Sequence, residues 1–199
     1  AHEIFGAHLA NLQATEAESA AALGAAARLL ARARAVHVAG FRASLTVAHA
    51  FFYGYRLLRD EVHLIDGGSA GLEAQLRPLG PRDVVVAVGF APYSRESAQV
   101  LAQARDAGAA VLAVTDSLAS PLARAARQTL LFAATSPSFF PSVAAAVALV
   151  EALLEQLAAD GGAPVVRRIG RVEAQLRAAG AYLPGAGLPV KRTTRIIKK

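Results

Sequence analysis

Five short, valine-rich apolar runs recur along this chain with helix-like segments between them, and that alternation restricts the fold more than any other feature. The runs are Ala35–Ala39 (AVHVA), Glu61–Ile65 (EVHLI), Val84–Val88 (VVVAV), Ala110–Val114 (AVLAV) and Thr129–Ala133 (TLLFA). Three of them are almost wholly apolar, as strands are when a parallel sheet is covered on both faces. Gly80-Pro81 announces the third and Gly108 the fourth. Strand alternating with helix predicts an α/β fold: a three-layer sandwich around a five-stranded parallel sheet with right-handed crossovers.

The segments between the runs carry helical periodicity. Ser44 to Leu58 sets Leu45, Ala48, Phe52 and Tyr55 along one stripe, and Ser94 to Ala107 does the same with Ser97, Val100, Leu101 and Ala104. Ser120-Pro121 places a capping serine before a proline at the first helical position. Outside the core, a long helix is expected over about Phe5 to Arg32. A C-terminal pair follows, about Ser138 to Ala159 and Pro164 to Ala179, parted at Asp160-Gly161-Gly162. Alanine dominates these outer helices, which favours helix and permits close contact. They either cover the sheet or form a dimer interface. The expected organisation is an N-terminal linker or dimer helix over 1–32, a core with its C-terminal helices over 33–180, and a flexible basic tail over 181–199.

Composition narrows the class. Over 199 residues, 54% are hydrophobic and 18% charged, so disorder is excluded over most of the length. The longest wholly apolar stretch, Val143–Val150, is too short for a membrane span, and no basic-then-apolar signal opens the chain. Without cysteine there is no disulfide framework, thiolate zinc site or thiol nucleophile. A soluble cytoplasmic protein with no membrane partner is the expectation. The net charge of +6 is misleading, because five of the 21 basic residues lie in the last nine, leaving 16 against 15 acidic residues elsewhere. The tail can touch phosphates without specificity, but the body has no charge excess for nucleic acid.

Open parallel sheets bind ligands outside the carboxyl ends of their strands, where the strand order reverses. The first run exits into Gly40-Phe41-Arg42-Ala43-Ser44, a glycine, a cation and a hydroxyl at a helix start. Such a segment can cradle an anion with backbone N–H groups and Arg42. Ser44 alone reads equally as a helix cap. The third run exits into Gly89-Phe90-Ala91-Pro92-Tyr93-Ser94-Arg95-Glu96-Ser97. There Ser94 can cap the next helix, and Tyr93 offers a ring face or a hydroxyl. Thr115-Asp116-Ser117 borders the same rim after the fourth run. The candidate ligand-binding residues are Gly40, Arg42, Ser44, Gly89, Tyr93, Ser94, Glu96 and Thr115.

With Gly40-x-x-x-Ser44, the third-strand loop, and Thr115-Asp116-Ser117-x-x-Ser120-Pro121-Leu122-Ala123 with Ala125-Ala126, the chain resembles SIS (sugar isomerase) domains of RpiR-type transcription regulators. The likeness runs from about Phe5 to Leu157. It includes Phe5-x-x-x-Leu9-x-x-Leu12, which in that family looks like the linker after a helix-turn-helix domain. The resemblance implies a flavodoxin-like strand order 2-1-3-4-5, a homodimer or higher homo-oligomer, and a site for a sugar phosphate or related anionic carbohydrate derivative. DNA would be reached only through a helix-turn-helix domain absent from this chain. The phosphate loop departs from the family pattern Ser-x-Ser-Gly-x-Thr-x-Glu. Gly89, Ala91 and Pro92 stand at its first three fixed positions, and only Ser94 (for threonine) and Glu96 keep its chemistry. Two hydroxyls and one backbone donor are lost.

Isomerases of this fold move a proton between adjacent carbons and need a placed base. His37 and His63 fall within predicted strands, His49 sits more than one turn past Ser44, and Asp66 lies in a Gly67-Gly68 turn. Glu96 in a first helical turn is favourable without any catalysis. His2, Glu3 and His8 lack a further acidic cluster for a metal. No catalytic set, metal site or cofactor site is expected, and the chain reads as an effector-binding and dimerising domain, not an enzyme. A phosphosugar isomerase and a ligand-free dimerising remnant are the alternatives.

Overall fold

The computed structural model describes residues 2–68 and 71–183. Residues 184–199, most of the segment read as a basic tail, lie outside the described residues. The strands are β1 (Val36–Ala39), β2 (Val62–Ile65), β3 (Val84–Gly89), β4 (Ala110–Thr115) and β5 (Gln128–Leu131). They form one five-stranded sheet in the order β2-β1-β3-β4-β5, with every neighbouring pair parallel, as expected. Gly89 at the end of β3 pairs with Thr115 at the end of β4, so these two strands stop level with each other.

Strand alternation divides the core in two. Val84, Val86 and Val88 face a cluster with α2 (Leu23–Ala31), α3 (Ser44–Leu58) and α7 (Ala144–Ala178), where Leu30, Phe51 and Leu153 are fully buried. Val85 and Ala87 face α4 (Leu72–Leu76), α5 (Arg95–Asp106) and α6 (Pro121–Ala125), around Val100 and Leu122. Burying each large side chain of this kind is worth about 1.5–3 kcal/mol. Among the described residues, no helix is long and apolar enough to cross a membrane.

Three helical expectations are corrected. The buried stripe of α3 is Ser44, Val47, Ala48, Phe51 and Tyr55, one residue out of phase at Leu45 and Phe52. The helix packs on the sheet and on α7 together, which makes its apolar face wide. Gly54 makes the second contact possible, since a Cβ there would sit 2.3 Å from Leu154 Cδ1. Secondly, the long N-terminal helix is broken into α1 (His2–Ser19) and α2 by a 3-10 turn at Ala20–Ala22. Thirdly, α7 begins at Ala144 instead of Ser138, and the expected break falls at Gly162, with φ 57°. Pro141 has no N–H to give a helix, so the segment before Ser142 stays a loop. Arg168 clamps the outer half of α7 to Asp60 through two contacts of 2.7 Å.

The inward face of α1 is polar. Its buried residues are Asn11, Thr15 and Ser19, spaced four apart on one side of the helix. Asn11 Nδ2 donates to the Thr135 carbonyl at 2.7 Å, and Thr15 Oγ1 accepts the Ala133 N–H at 3.0 Å. Ser19 Oγ accepts the Leu131 N–H and donates to the Leu131 carbonyl, both at 2.7 Å. The open backbone of the edge strand β5, and of the chain leaving it, is thereby satisfied by side chains. At another helix end, Arg59 donates to the carbonyls of Leu30, Ala33 and Arg34 at 3.1, 3.0 and 2.9 Å, closing the exit from α2.

Two outcomes are expected. Thr15→Val leaves the Ala133 N–H unpaired in a dry contact and lowers unfolding stability by about 1–3 kcal/mol, measured by urea titration. The exposed edge then promotes association on storage, read by light scattering. The second concerns His37, which is buried, stacked on His63 at 5.0 Å, and 3.5 Å from Asp83 Oδ2. Burial first, then the neighbouring His63, holds its pKa below the ordinary 6.5, against the opposing pull of Asp83. The unfolded chain therefore binds the proton more readily, so stability is full above pH 6.5 and is lost as pH falls below it. The melting temperature of His37→Gln is expected to fall less than that of the parent across this window.

Candidate functional site

The exits of β1 and β3 meet at one cavity of about 150 Å³ at the carboxyl ends of the strands. Its hydroxyls come from Ser44, Ser94 and Ser97, its apolar walls from Phe41, Phe90, Pro92, Phe140 and Pro141. Larger clefts lie elsewhere. One of about 360 Å³ at the amino ends of the strands is ringed by Arg28, Arg32, Arg82 and Arg127. Only the small cavity joins two strand-exit loops at the point where the strand order reverses, between β1 and β3, which is where open sheets bind ligands.

Gly40 lets the first loop form. A Cβ there would stand 2.5 Å from Ala48 Cβ and 2.8 Å from the Ser44 carbonyl, so only glycine permits α3 to start this close to β1. Arg42 follows with φ 54°, a left-handed conformation unusual for a side-chain-bearing residue. Its side chain is 77% exposed and lies 3.6 Å from Glu96 Oε1, bridging the two loops. Ser44 does not cap the helix; Ala43 holds the cap position, and Ser44 is buried in the first turn at the cavity wall.

In the second loop, Gly89 ends β3 at the cavity, with Leu122 behind it, 3.0 Å from where its Cβ would be. Ser94 caps α5, accepting the Ser97 N–H at 3.1 Å, with the two hydroxyls 3.0 Å apart. Glu96 sits in the first turn of α5, its carboxyl held below the usual range chiefly by its own backbone N–H. Tyr93 and Thr115 are drawn elsewhere. Tyr93 Oη donates to Asp116 Oδ1 at 2.8 Å, and its phenol is pushed up by burial and by that carboxylate. Thr115 is fully buried, with its Oγ1 3.2 Å from Asp116 Oδ1. The structure thus gathers Arg42, Ser44, Gly89 and Ser94 at the cavity. It places Gly40 and Thr115 as supports, Glu96 at the rim and Tyr93 on Asp116.

Sequence reasoning overlooked the third side of the site. Phe140 and Pro141 come from the loop after β5, within the stretch expected to form a helix from Ser138. Pro137 and Pro141 were the available signal. The neighbouring Phe139 is 98% exposed, its ring 6.1 Å from that of Phe140. Beyond Pro141, a second cavity of about 470 Å³ carries Glu18 and Asp116 and no basic residue. Neither cavity is lined by a histidine; His49 is exposed on α3 and His63 on β2.

Comparison with known proteins agrees with this geometry. The SIS domain model matches residues 29–156. The sugar isomerase domain of the RpiR transcription factor from Sphaerobacter thermophilus is 30% identical, with a TM-score of 0.76 over 90% of this chain and 97% of that one. The Vibrio vulnificus NanR protein, solved with ManNAc-6P, is 19% identical, with a TM-score of 0.74 over 89% of this chain and 68% of that one. The c3406 protein of E. coli CFT073, solved in complex with a sugar phosphate, is 15% identical, with a TM-score of 0.64 over 92% and 95%. These last two likenesses show the shared fold. No curated protein matches the chain. Matched by the family model over more than half its length, and most alike in sequence to the Sphaerobacter domain among these three, the chain belongs to the SIS domain family and is of the RpiR type.

Proposed function

We propose that this chain is the effector-binding and dimerising domain of a transcription regulator, taking a small carbohydrate derivative at the cavity between the β1 and β3 exits. The observation that carries this reading is the make-up of that cavity: hydroxyls and rings converge there, while its lining contains no histidine and no carboxylate. A ligand can be held, but a proton has no base at hand to move it between carbons. Likeness to the Sphaerobacter transcription-factor domain supports the regulator reading, and the sugar phosphates bound in the Vibrio and E. coli structures support a ligand of carbohydrate chemistry.

Self-association is part of the same proposal. An apolar groove of about 370 Å³ runs between α1, α2 and α7, lined by Leu12, Leu23 and Leu149. Phe5 and Leu9 on α1 are 67% and 64% exposed. A homodimer or tetramer covering these residues is expected by light scattering at micromolar concentration, and a monodisperse monomer would count against it.

For the ligand, a melting screen with sugars, amino sugars, sugar acids and sugar phosphates is expected to find at least one stabilising compound. At a hundredfold excess over its dissociation constant, that compound raises stability by about 2.7 kcal/mol. Ser44→Ala and Phe140→Ala should each weaken the shift without unfolding the chain. Isomerisation of any phosphosugar by the domain would overturn the proposal in favour of an enzyme.

A further inference from the structure

The loop leaving β3 carries donors of the kind that grip an anion, and a carboxylate of the chain already occupies them. Asp116 Oδ2 accepts the Ala91 N–H at 3.2 Å, and Oδ1 accepts the Tyr93 hydroxyl at 2.8 Å. Thr115 Oγ1 donates to the same Oδ1 at 3.2 Å. Pro92, between the two engaged residues, has no N–H to offer. The Ser94 hydroxyl is spent on the cap of α5.

Charge points the same way. Arg42 is the one cation lining the small cavity, and Glu96 lies 3.6 Å from it. No basic side chain forms an ion pair with Asp116 among the described residues. Glu18 joins Asp116 in the adjoining cavity. An entering phosphate would therefore find one cation already answered by a carboxylate, a fixed negative charge on the exit loop, and a second acid nearby. Like charges in one site disfavour each other's ionised forms. What the small cavity offers instead is ring surface from Phe41, Phe90 and Phe140, which suits the C–H face of a sugar, beside hydroxyls that suit its edge.

We propose that Asp116 is a built-in anion that fills the donor set of the β3 exit loop, and that the ligand is a hydroxylated carbohydrate derivative without an anionic group. The ligand class rests on the effector-binding reading; the role of Asp116 does not. Uncharged and amine-bearing sugars share the required chemistry, and Glu18 with Asp116 would favour the amine.

The test is amide NMR of the full chain, following residues 89–97 during titration with inorganic phosphate, in the parent, Asp116→Asn and Asp116→Ala. The parent is expected to show no saturable shift at these amides. Asp116→Asn keeps an acceptor for the Ala91 N–H and removes the charge, so it should gain phosphate affinity by roughly tenfold or more. Asp116→Ala, with the donors freed as well, should gain further. Saturable phosphate binding to the parent loop overturns the proposal, as does unchanged affinity in a folded Asp116→Asn. Loss of the native spectrum in both variants also overturns it, since Asp116 is then only a structural brace.

Titration with N-acetylmannosamine, mannosamine and N-acetylmannosamine 6-phosphate tests the ligand class. Tighter parent binding of either unphosphorylated sugar supports the proposal, and preference for mannosamine assigns the amine-bearing form. Tighter binding of the 6-phosphate overturns it. A parent that binds none of the three, alongside a phosphate gain in Asp116→Asn, counts against the effector reading and leaves Asp116 as the loop's anion.

Discussion

Burial of the central strands on both faces governs the rest of this molecule. Every residue of β1 and β3 is buried, and five of the six in β4 are. Sheet faces of that kind must be apolar, because an unpaired polar group there costs about 1–3 kcal/mol by mutational measure. Side chains with chemistry are thereby driven to strand ends, where backbone N–H groups at helix starts are unpaired as well. The buried His37 and Asp83 fit this rule, for they lie at the amino ends and lean on each other and on Arg34. The carboxyl ends are left for ligand contacts, and the reversal of strand order between β1 and β3 separates their exit helices enough to leave a cavity.

Faces alone do not finish a sheet; edges also need partners. The β5 edge is closed by α1, a helix that presents Asn11, Thr15 and Ser19 where an amphipathic helix would present leucines. Each of these short polar side chains reaches the backbone of the edge strand or of its exit. The helix is therefore fixed in register along the strand, because hydrogen bonds have direction and apolar contacts do not. The same geometry explains the break after Ser19. Its hydroxyl is committed to Leu131, and the chain turns through Ala20–Ala22 before α2 brings Ala26, Ala27 and Leu30 into the core.

The sheet was legible in the sequence because its signal is local. Runs such as VVVAV and AVLAV specify doubly buried strands, and Gly-Pro or Gly before them marks the turns. The α5 stripe was legible for the same reason: that helix packs on one neighbour, and Ser97, Val100, Leu101 and Ala104 are its buried set. The α3 stripe was misplaced by one residue because two neighbours share that helix, and periodicity cannot say which of two apolar faces is deeper. The polar seam of α1 was hidden, since Asn11, Thr15 and Ser19 acquire meaning only when a strand edge lies beside them. At the site, the exit loops could be read from glycine, serine and arginine near helix starts. Asp116 could be placed on the rim, but its hold on Ala91 and Tyr93 joins residues more than twenty apart. Phe140 was lost with the misread helix start.

The loop after β5 connects these themes. Its first part is held to α1 by the bond from Asn11 to the Thr135 carbonyl, and its later part supplies Phe140 and Pro141 to the cavity wall. The helix that guards the sheet edge and the wall that meets a ligand are therefore attached to one short stretch of chain. Contiguity becomes coupling only if the stretch has two arrangements that the ligand tells apart. Its make-up accommodates this: Phe139 is almost wholly exposed and Phe140 only partly buried, so few contacts hold the loop tip in one place. Seating Phe140 against a bound ring would add contacts at the tip while Asn11 keeps the root fixed. The strain or relief of that movement would then pass to α1, whose exposed Phe5 and Leu9 lie on the surface where a second copy would pack.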